Sequence, residues 1–300
     1  MQAKLKKSCP TCTASSQKTY FQSIKALAKF AGRQTIPDTH NWLNGALLKK
    51  VRGLPLSRFK RFSIAGVKAL GAYGIRDDEK WHKAMKEASE KYTKLRLSGK
   101  RTKREAERWP KDGYASIRKV AKQLHEEVAH LENRKPSTLS AWERLYQRWV
   151  ILLFYSHHAM RGDLADVQLT KGARSWIRHK GKKWTLHVGH HKTMKSRGAI
   201  EFKVDDPVSA AFSKFVPMVK AAKLKHKYLL STSRGKQLQR QDMLKLISAT
   251  TERYLGKKIG VQILRVLKTT SKIKDLDTAT ELQHEMGHSA LTQRQYISRG

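Results

Sequence analysis

Residues 140–158 read SAWERLYQRWVILLFYSHH, and Trp142, Leu145, Tyr146, Trp149, Val150 and Leu153 recur at helical spacing along them. A helix with so much aromatic and aliphatic surface has to lie at the centre of a core, with other elements packed round it. The neighbouring segments supply those elements. "YASIRKVAKQLHEEVAHL" precedes it, and "PVSAAFSKFVPMVKAAK", "LQRQDMLKLISATTERYLG", "GVQILRVLKTTSK" and "TATELQHEMGH" follow it, all with helical patterning. Ser140 and Glu143 are spaced as a capping box for the start of the central helix.

Between residues 166 and 204 the period changes. "DVQLT" reads as a short strand, and "KKWTLHVGHHKTMKSRGAIEFKV" as two strands joined at a basic turn, "MKSRG". The first hundred residues return to helical spacing. "TYFQSIKALAKFAG" is closed by Gly32, and helices follow around "HNWLNGALLKKV", "LSRFKRFSIAGVKALGAYG" and "KWHKAMKEASEKYTKL". The charged stretch "RLSGKRTKREAERWPKDG" reads as a linker. The expected fold is therefore mainly α with a small antiparallel β-sheet. It is organised as an extension over 1–13, a helical domain over 14–106 and an α+β domain over 107–300.

The chain has 63 Lys and Arg against 24 Asp and Glu, a formal charge of +39 over 300 residues. Solubility needs far less, so a polyanion is the expected partner. The first 75 residues carry 14 basic side chains and the single acid Asp38, yet keep Trp42, Phe59, Phe62 and many aliphatic residues, which makes them a folded basic module. Within it, Arg58, Lys60, Arg61 and Lys68 interleave with Phe59, Phe62 and Val67 and are expected to touch that polyanion. No apolar run reaches the roughly 18 residues of a membrane span, and no apolar segment follows the first lysines, so an intracellular, non-secreted protein is expected. Cys9 and Cys12 have the spacing of half a zinc site, but no second pair exists, and two free thiols at a terminal turn are expected.

Four features of the second domain stand in a telling order. Arg161 follows the central helix in "HHAMRGDLADVQL", Lys192 lies in "VGHHKTMKSRGAIEF", Arg265 sits in the apolar run "VQILRVL", and His288 and Tyr296 close the chain in "MGHSALTQRQY". Each alone is an ordinary residue of a basic protein. Together they match what a tyrosine needs to attack a DNA phosphodiester. Two arginines clamp the non-bridging oxygens, a lysine protonates the leaving 5′ oxygen, and a histidine holds the phosphate or moves a proton. The phenol then conserves the bond energy as a phosphotyrosine. This chemistry needs neither cofactor nor metal. The strand histidines His187, His190 and His191 alternate faces and lack a carboxylate pattern, so a solvated or DNA-facing role is expected of them.

In motif order, residues 110–300 resemble the tyrosine recombinases, the phage-integrase family, and the N-terminal helical module fits that family's core-binding domain. The resemblance implies a catalytic set of Arg161, Lys192, Gln262, Arg265, His288 and Tyr296, with Lys195 and Arg197 of the hairpin turn on DNA. It also implies a clamp of two domains round double-stranded DNA and a homotetramer assembled there, from a protein that is monomeric when free. Departures are visible. Gln262 stands where the family usually has histidine, Asp163 follows the first arginine at two residues where three is commoner, and His288 precedes Tyr296 by eight residues where many members have nine. The shorter spacing has the flavour of viral and eukaryotic mobile elements. A type IB topoisomerase and a relative that binds DNA without cutting it are the alternative functions.

Overall fold

The computed structural model describes every residue except 133–138, 182, 222–226, 235, 273–275, 287–289 and 298–300. The chain divides into two units, Met1–Ser98 and Gly99–Gly300.

In the first unit, α1 (Gln2–Ser8), α2 (Ala14–Phe30), α3 (Gly45–Arg52), α4 (Leu56–Ala72) and α5 (Glu79–Leu97) enclose one apolar core. Their starts follow from local chemistry. Thr13, Asn44 and Asp78 each accept a backbone N–H of the first turn, worth about 1 kcal/mol apiece. Helix α2 ends as Gly32 takes a φ of 77°, which glycine adopts without a Cβ penalty. Buried Trp81 lies against α4 at Gly66, where any Cβ would come within 2.2 Å of the indole, and its Nε1 donates to the Leu43 carbonyl at 2.9 Å. Helix α1 was not expected from the sequence, because seven residues are too few to display a period. Cys9 and Cys12, expected as free thiols, are joined in a disulfide. The turn between them, closed by the Cys12 N–H to the Cys9 carbonyl, sets their Cα atoms 5.4 Å apart, inside the usual range for a bridge.

In the second unit, the charged stretch read as linker contains α6 (Lys103–Arg108), opened by a capping box of Thr102 and Glu105. Helix α7 (Ala115–Glu132) leads to the apolar α8 (Leu139–His157). The latter contacts α7, α10 (Asp206–Ala221), α11 (Arg240–Leu255) and α12 (Val261–Lys272), which is the central position its composition demands. Ser140, expected to precede the central helix as its cap, is the second residue of α8.

The sheet has three antiparallel strands in sequence order, β1 (Ser175–Lys180), β2 (Lys183–Val188) and β3 (Ile200–Lys203). Ser175 pairs with Val188 and Lys180 with Lys183 across the first ladder, and Val188 with Ile200 across the second. Strand β1 was missed in the sequence. "DVQLT", expected as a strand, contributes only isolated bridges from Gln168 to Trp176 and Tyr228. Helix α10 covers the sheet and satisfies Trp184, whose backbone and indole N–H groups donate to Ser209 and Ser213 at 2.8 and 2.9 Å. A one-turn helix, α9 (Met194–Arg197), sits between β2 and β3, and α13 (Leu276–Met286) and α14 (Ala290–Arg294) finish the unit. Among the described residues no helix is long and apolar enough to cross a membrane.

Candidate active site

Helix α12 turns an apolar face into the core, with Val261, Ile263, Leu264, Val266 and Leu267 buried, and carries Arg265 inward among them at 2 % exposure. A guanidinium in such a place must be hydrogen-bonded. Its Nε donates to the Ala159 carbonyl at 2.9 Å, one terminal nitrogen to the Met286 carbonyl at 3.4 Å, and the other to the Tyr296 hydroxyl at 3.1 Å. The guanidinium carbon also lies 4.8 Å from the Tyr296 ring centre. Burial lowers the Arg265 pKa, with the charge of Arg161 adding to the effect, while Tyr296, Tyr155 and Asp163 oppose it. Two cations that feel one another in a half-buried site favour an anion between them.

Arg161 is half-buried and caps the 3-10 helix Gly162–Asp166 that follows α8. Its backbone is held from below, since the buried Tyr155 hydroxyl of α8 donates to the Arg161 carbonyl at 2.6 Å. Burial pushes the Tyr155 pKa far above the ordinary phenol value, so this donor stays protonated. Asp163 is 4 % exposed and receives Arg240 of α11 at 2.6 Å. Burial raises the Asp163 pKa, while Arg240, Arg161 and His191, in that order, pull it down.

Tyr296 follows α14, half-buried, its N–H bonded to the Gln293 carbonyl at 2.8 Å; Gln293 in turn donates to Ala279 of α13 at 2.9 Å. Arg265 and Tyr296 are thus in contact and Arg161 is close enough to affect the Arg265 charge. Gln262 is exposed, one helical turn before Arg265. His288 lies outside the described residues. Lys192 is exposed and stands four residues past the end of β2, in the turn, where the sequence put it at the strand's end. Lys195 and Arg197 fall on α9 in the same turn.

The histidines before Lys192 are not merely solvated. His191 is 8 % exposed, its Nε2 lies 2.9 Å from the Gly198 carbonyl and its Nδ1 3.1 Å from the Thr193 hydroxyl, so it ties the two ends of the turn together. His187 stacks on Trp176 with ring centres 4.9 Å apart and lies 3.1 Å from a Glu201 oxygen. Among the described residues no cluster of His, Cys, Asp and Glu could hold a metal ion.

No protein-family model and no curated protein matches the sequence. Solved structures do match. XerH site-specific recombinase bound to difH substrate, in a pre-cleavage complex, is 13 % identical, with 100 % of this chain and 82 % of that chain covered and a TM-score of 0.56. XerH bound to palindromic difH, in a post-cleavage complex, is also 13 % identical, over 99 % of this chain and 80 % of that one, with a TM-score of 0.57. A lambda integrase dimer bound to a COC′ core site is 16 % identical, over 95 % and 72 %, with a TM-score of 0.53. The chain has the tyrosine-recombinase fold.

Within that fold the first unit holds the four basic residues singled out in the sequence. All lie on α4, and each sits against an aromatic ring. The Lys60 ammonium lies 4.3 Å from the Tyr92 ring centre and Lys68 lies 5.2 Å from that of Tyr20; Arg58 and Arg61 lie 5.6 and 5.9 Å from that of Phe62. Arg61 also donates to Ser23 of α2 at 3.1 Å. Arg58 and Arg61 are exposed, Lys60 and Lys68 half-buried. The recombinase fold also brings in supporting residues that the sequence did not signal. Arg240, Gln237 and the buried Lys268, which donates to the His157 carbonyl, act across more than seventy residues of chain, and Tyr155 acts across six.

Proposed function

We propose that this protein is a site-specific DNA recombinase that cleaves and rejoins double-stranded DNA through a 3′-phosphotyrosine at Tyr296. The observation that carries this reading is the hydrogen bond from buried Arg265 to the Tyr296 hydroxyl. A guanidinium on the phenolic oxygen lies where a phosphate oxygen would be clamped as the phenol attacks. In the reaction the Tyr296 hydroxyl gives its proton to His288 or to solvent as its oxygen bonds to phosphorus, the bond from phosphorus to the 5′ oxygen breaks, and that 5′ oxygen takes a proton from Lys192. Arg161 and Arg265 hold the non-bridging oxygens, and Gln262 and His288 assist at the same phosphate. Reversal by a new 5′ hydroxyl rejoins the strand.

The DNA-bound neighbours of the same fold support double-stranded DNA as the partner. Exchange between two duplexes requires four strand cleavages, so the active form is a homotetramer on DNA. The eight-residue step from His288 to Tyr296 favours a recombinase of a mobile or viral element, working wherever the host keeps its DNA.

A pool of nicked duplexes tests this, because cleavage beside a nick releases a short fragment and traps the adduct. A denaturing gel should show protein covalently joined to DNA, formed in chelator and lost in Tyr296→Phe. Tight DNA binding with no adduct would favour the DNA-binding relative. Relaxation of a supercoil without exchange between duplexes would favour a type IB topoisomerase.

A further inference from the structure

The 3-10 helix after Arg161 carries two carboxylates on neighbouring turns, Asp163 and Asp166, and both converge on one residue. Arg240 donates to Asp163 at 2.6 Å and to Asp166 at 2.7 Å. It does so from the first residue of α11, where the helix dipole disfavours a cation, so the carboxylates outweigh a local electrostatic cost. Its aliphatic stem crosses the chain next to Arg161: a Cβ at Gly162 would come within 2.9 Å of the Arg240 Cγ. Gln237, three residues earlier, donates to the Ala165 carbonyl at 2.9 Å and to Asp166 at 3.0 Å. Asp166 also meets the lysine turn, where His190 Nδ1 lies 3.6 Å from its second oxygen. The Arg240 and Gln237 contacts each span more than seventy residues of sequence.

We propose that Arg240 is a positioning residue: through Asp163 and Asp166 it fixes the turn that presents Arg161, and the Lys192 turn approaches the same Asp166 carboxylate at His190. The inference rests on the reading above, that Arg161 and Lys192 serve a scissile phosphate. One terminal nitrogen of the guanidinium serves both acids, and the planar group fixes the directions of its two N–H bonds, which a freely rotating ammonium in its place would not do.

The test measures single-turnover formation of the Tyr296 adduct at saturating nicked DNA, with DNA affinity measured in parallel. Arg240→Ala should slow adduct formation by about 10- to 100-fold, as expected of a misplaced catalytic group, while affinity stays within about threefold. Arg240→Lys should be nearly as slow. Combined with Arg161→Lys, which leaves a measurable residual rate, Arg240→Ala should add almost nothing, because the two act through one group. A rate for Arg240→Ala within about twofold of the unmodified protein, or full additivity with Arg161→Lys, overturns the proposal. Should Arg240→Ala fail to fold, Asp166→Asn removes the charge of one of the two acceptors at a partly exposed site, and it should show the same loss of rate and the same non-additivity. If the unmodified protein forms no Tyr296-dependent adduct, the recombinase reading itself fails and the proposal goes with it.

Discussion

A cation is buried beside Tyr296 because α12 leaves it no other direction. In "VQILRVL" the apolar residues occupy the inward positions on both sides of Arg265, and the side chain goes in with them. That part of the site was legible, since an arginine inside an apolar run announces its own burial. Lys192 carried a weaker signal, being one of two lysines in the turn. Its role as acid is separable by leaving-group chemistry. Lys192→Ala should slow cleavage of ordinary DNA by about 10²- to 10⁴-fold, and a substrate with sulfur at the bridging 5′ position, whose thiolate leaves without a proton, should recover most of that loss. Equal defects on both substrates would move the assignment to Lys195. A second residue-scale prediction concerns Asp205, whose carboxylate is held at about 2 by a hydrogen bond from His157, with help from the charges of His158 and Lys268. Its folded pKa lies below its unfolded one, so its contribution is present above about pH 4 and fades as pH falls through 2. Asp205→Asn should cost about 1 kcal/mol at neutral pH, a figure discounted because the side chain is half exposed. In urea titrations the difference from the unmodified protein should shrink between pH 4 and 2, and a difference constant with pH would refute the assignment.

At the scale of elements, length and pattern decided what the sequence disclosed. The long helices α2, α4, α5, α7 and α8 show their period, whereas α1 and α6 have too few residues to display one. Helix α6 nevertheless had a signal, Thr102 followed by Glu105, hidden because its surroundings read as a charged linker. Strand β1 was missed because its first three residues are all buried and its last two exposed, a pattern without alternation. The start of β1 and the turn that follows β2 meet in one contact that no local pattern predicts. The Gly189 N–H donates to the Arg174 carbonyl at 2.8 Å, and a Cβ at Gly189 would sit 2.1 Å from that oxygen. Gly189→Ala must push the start of β1 away from the end of β2. It should destabilise the second unit by about 1–3 kcal/mol, as overpacking does, and raise amide exchange in β2, β3 and the Lys192 turn. Because Lys192 follows three residues later, adduct formation should slow while DNA affinity holds. Unchanged exchange in the turn would show that the hairpin absorbs the clash elsewhere.

Across the whole molecule, charge is spread and chemistry is concentrated. Residues 1–98 hold 21 basic and 6 acidic side chains and residues 99–300 hold 42 and 18, so both units contribute to the attraction for a polyanion. The residues proposed to act on the phosphate all belong to the second unit. This division was legible in composition, but the setting of Lys60 and Lys68 against aromatic rings was not, because Tyr92 and Tyr20 come from α5 and α2 and meet them only in the folded bundle. Charged ends held over rings have restricted positions, at less cost in side-chain entropy when a phosphate binds. Replacing Arg58 and Arg61 by glutamine keeps much of each stem and removes two charges. If both meet phosphates, the slope of log affinity against log salt should become shallower by about 2, and affinity should fall alike for every DNA sequence tried. At saturating DNA the rate of adduct formation should not change. Arg265→Ala should do the reverse, with DNA affinity nearly kept and adduct formation reduced by about 10²- to 10³-fold. An unaltered salt slope in the double variant would take α4 off the DNA, and a reduced adduct rate at saturation would mean that the first unit does more than bind.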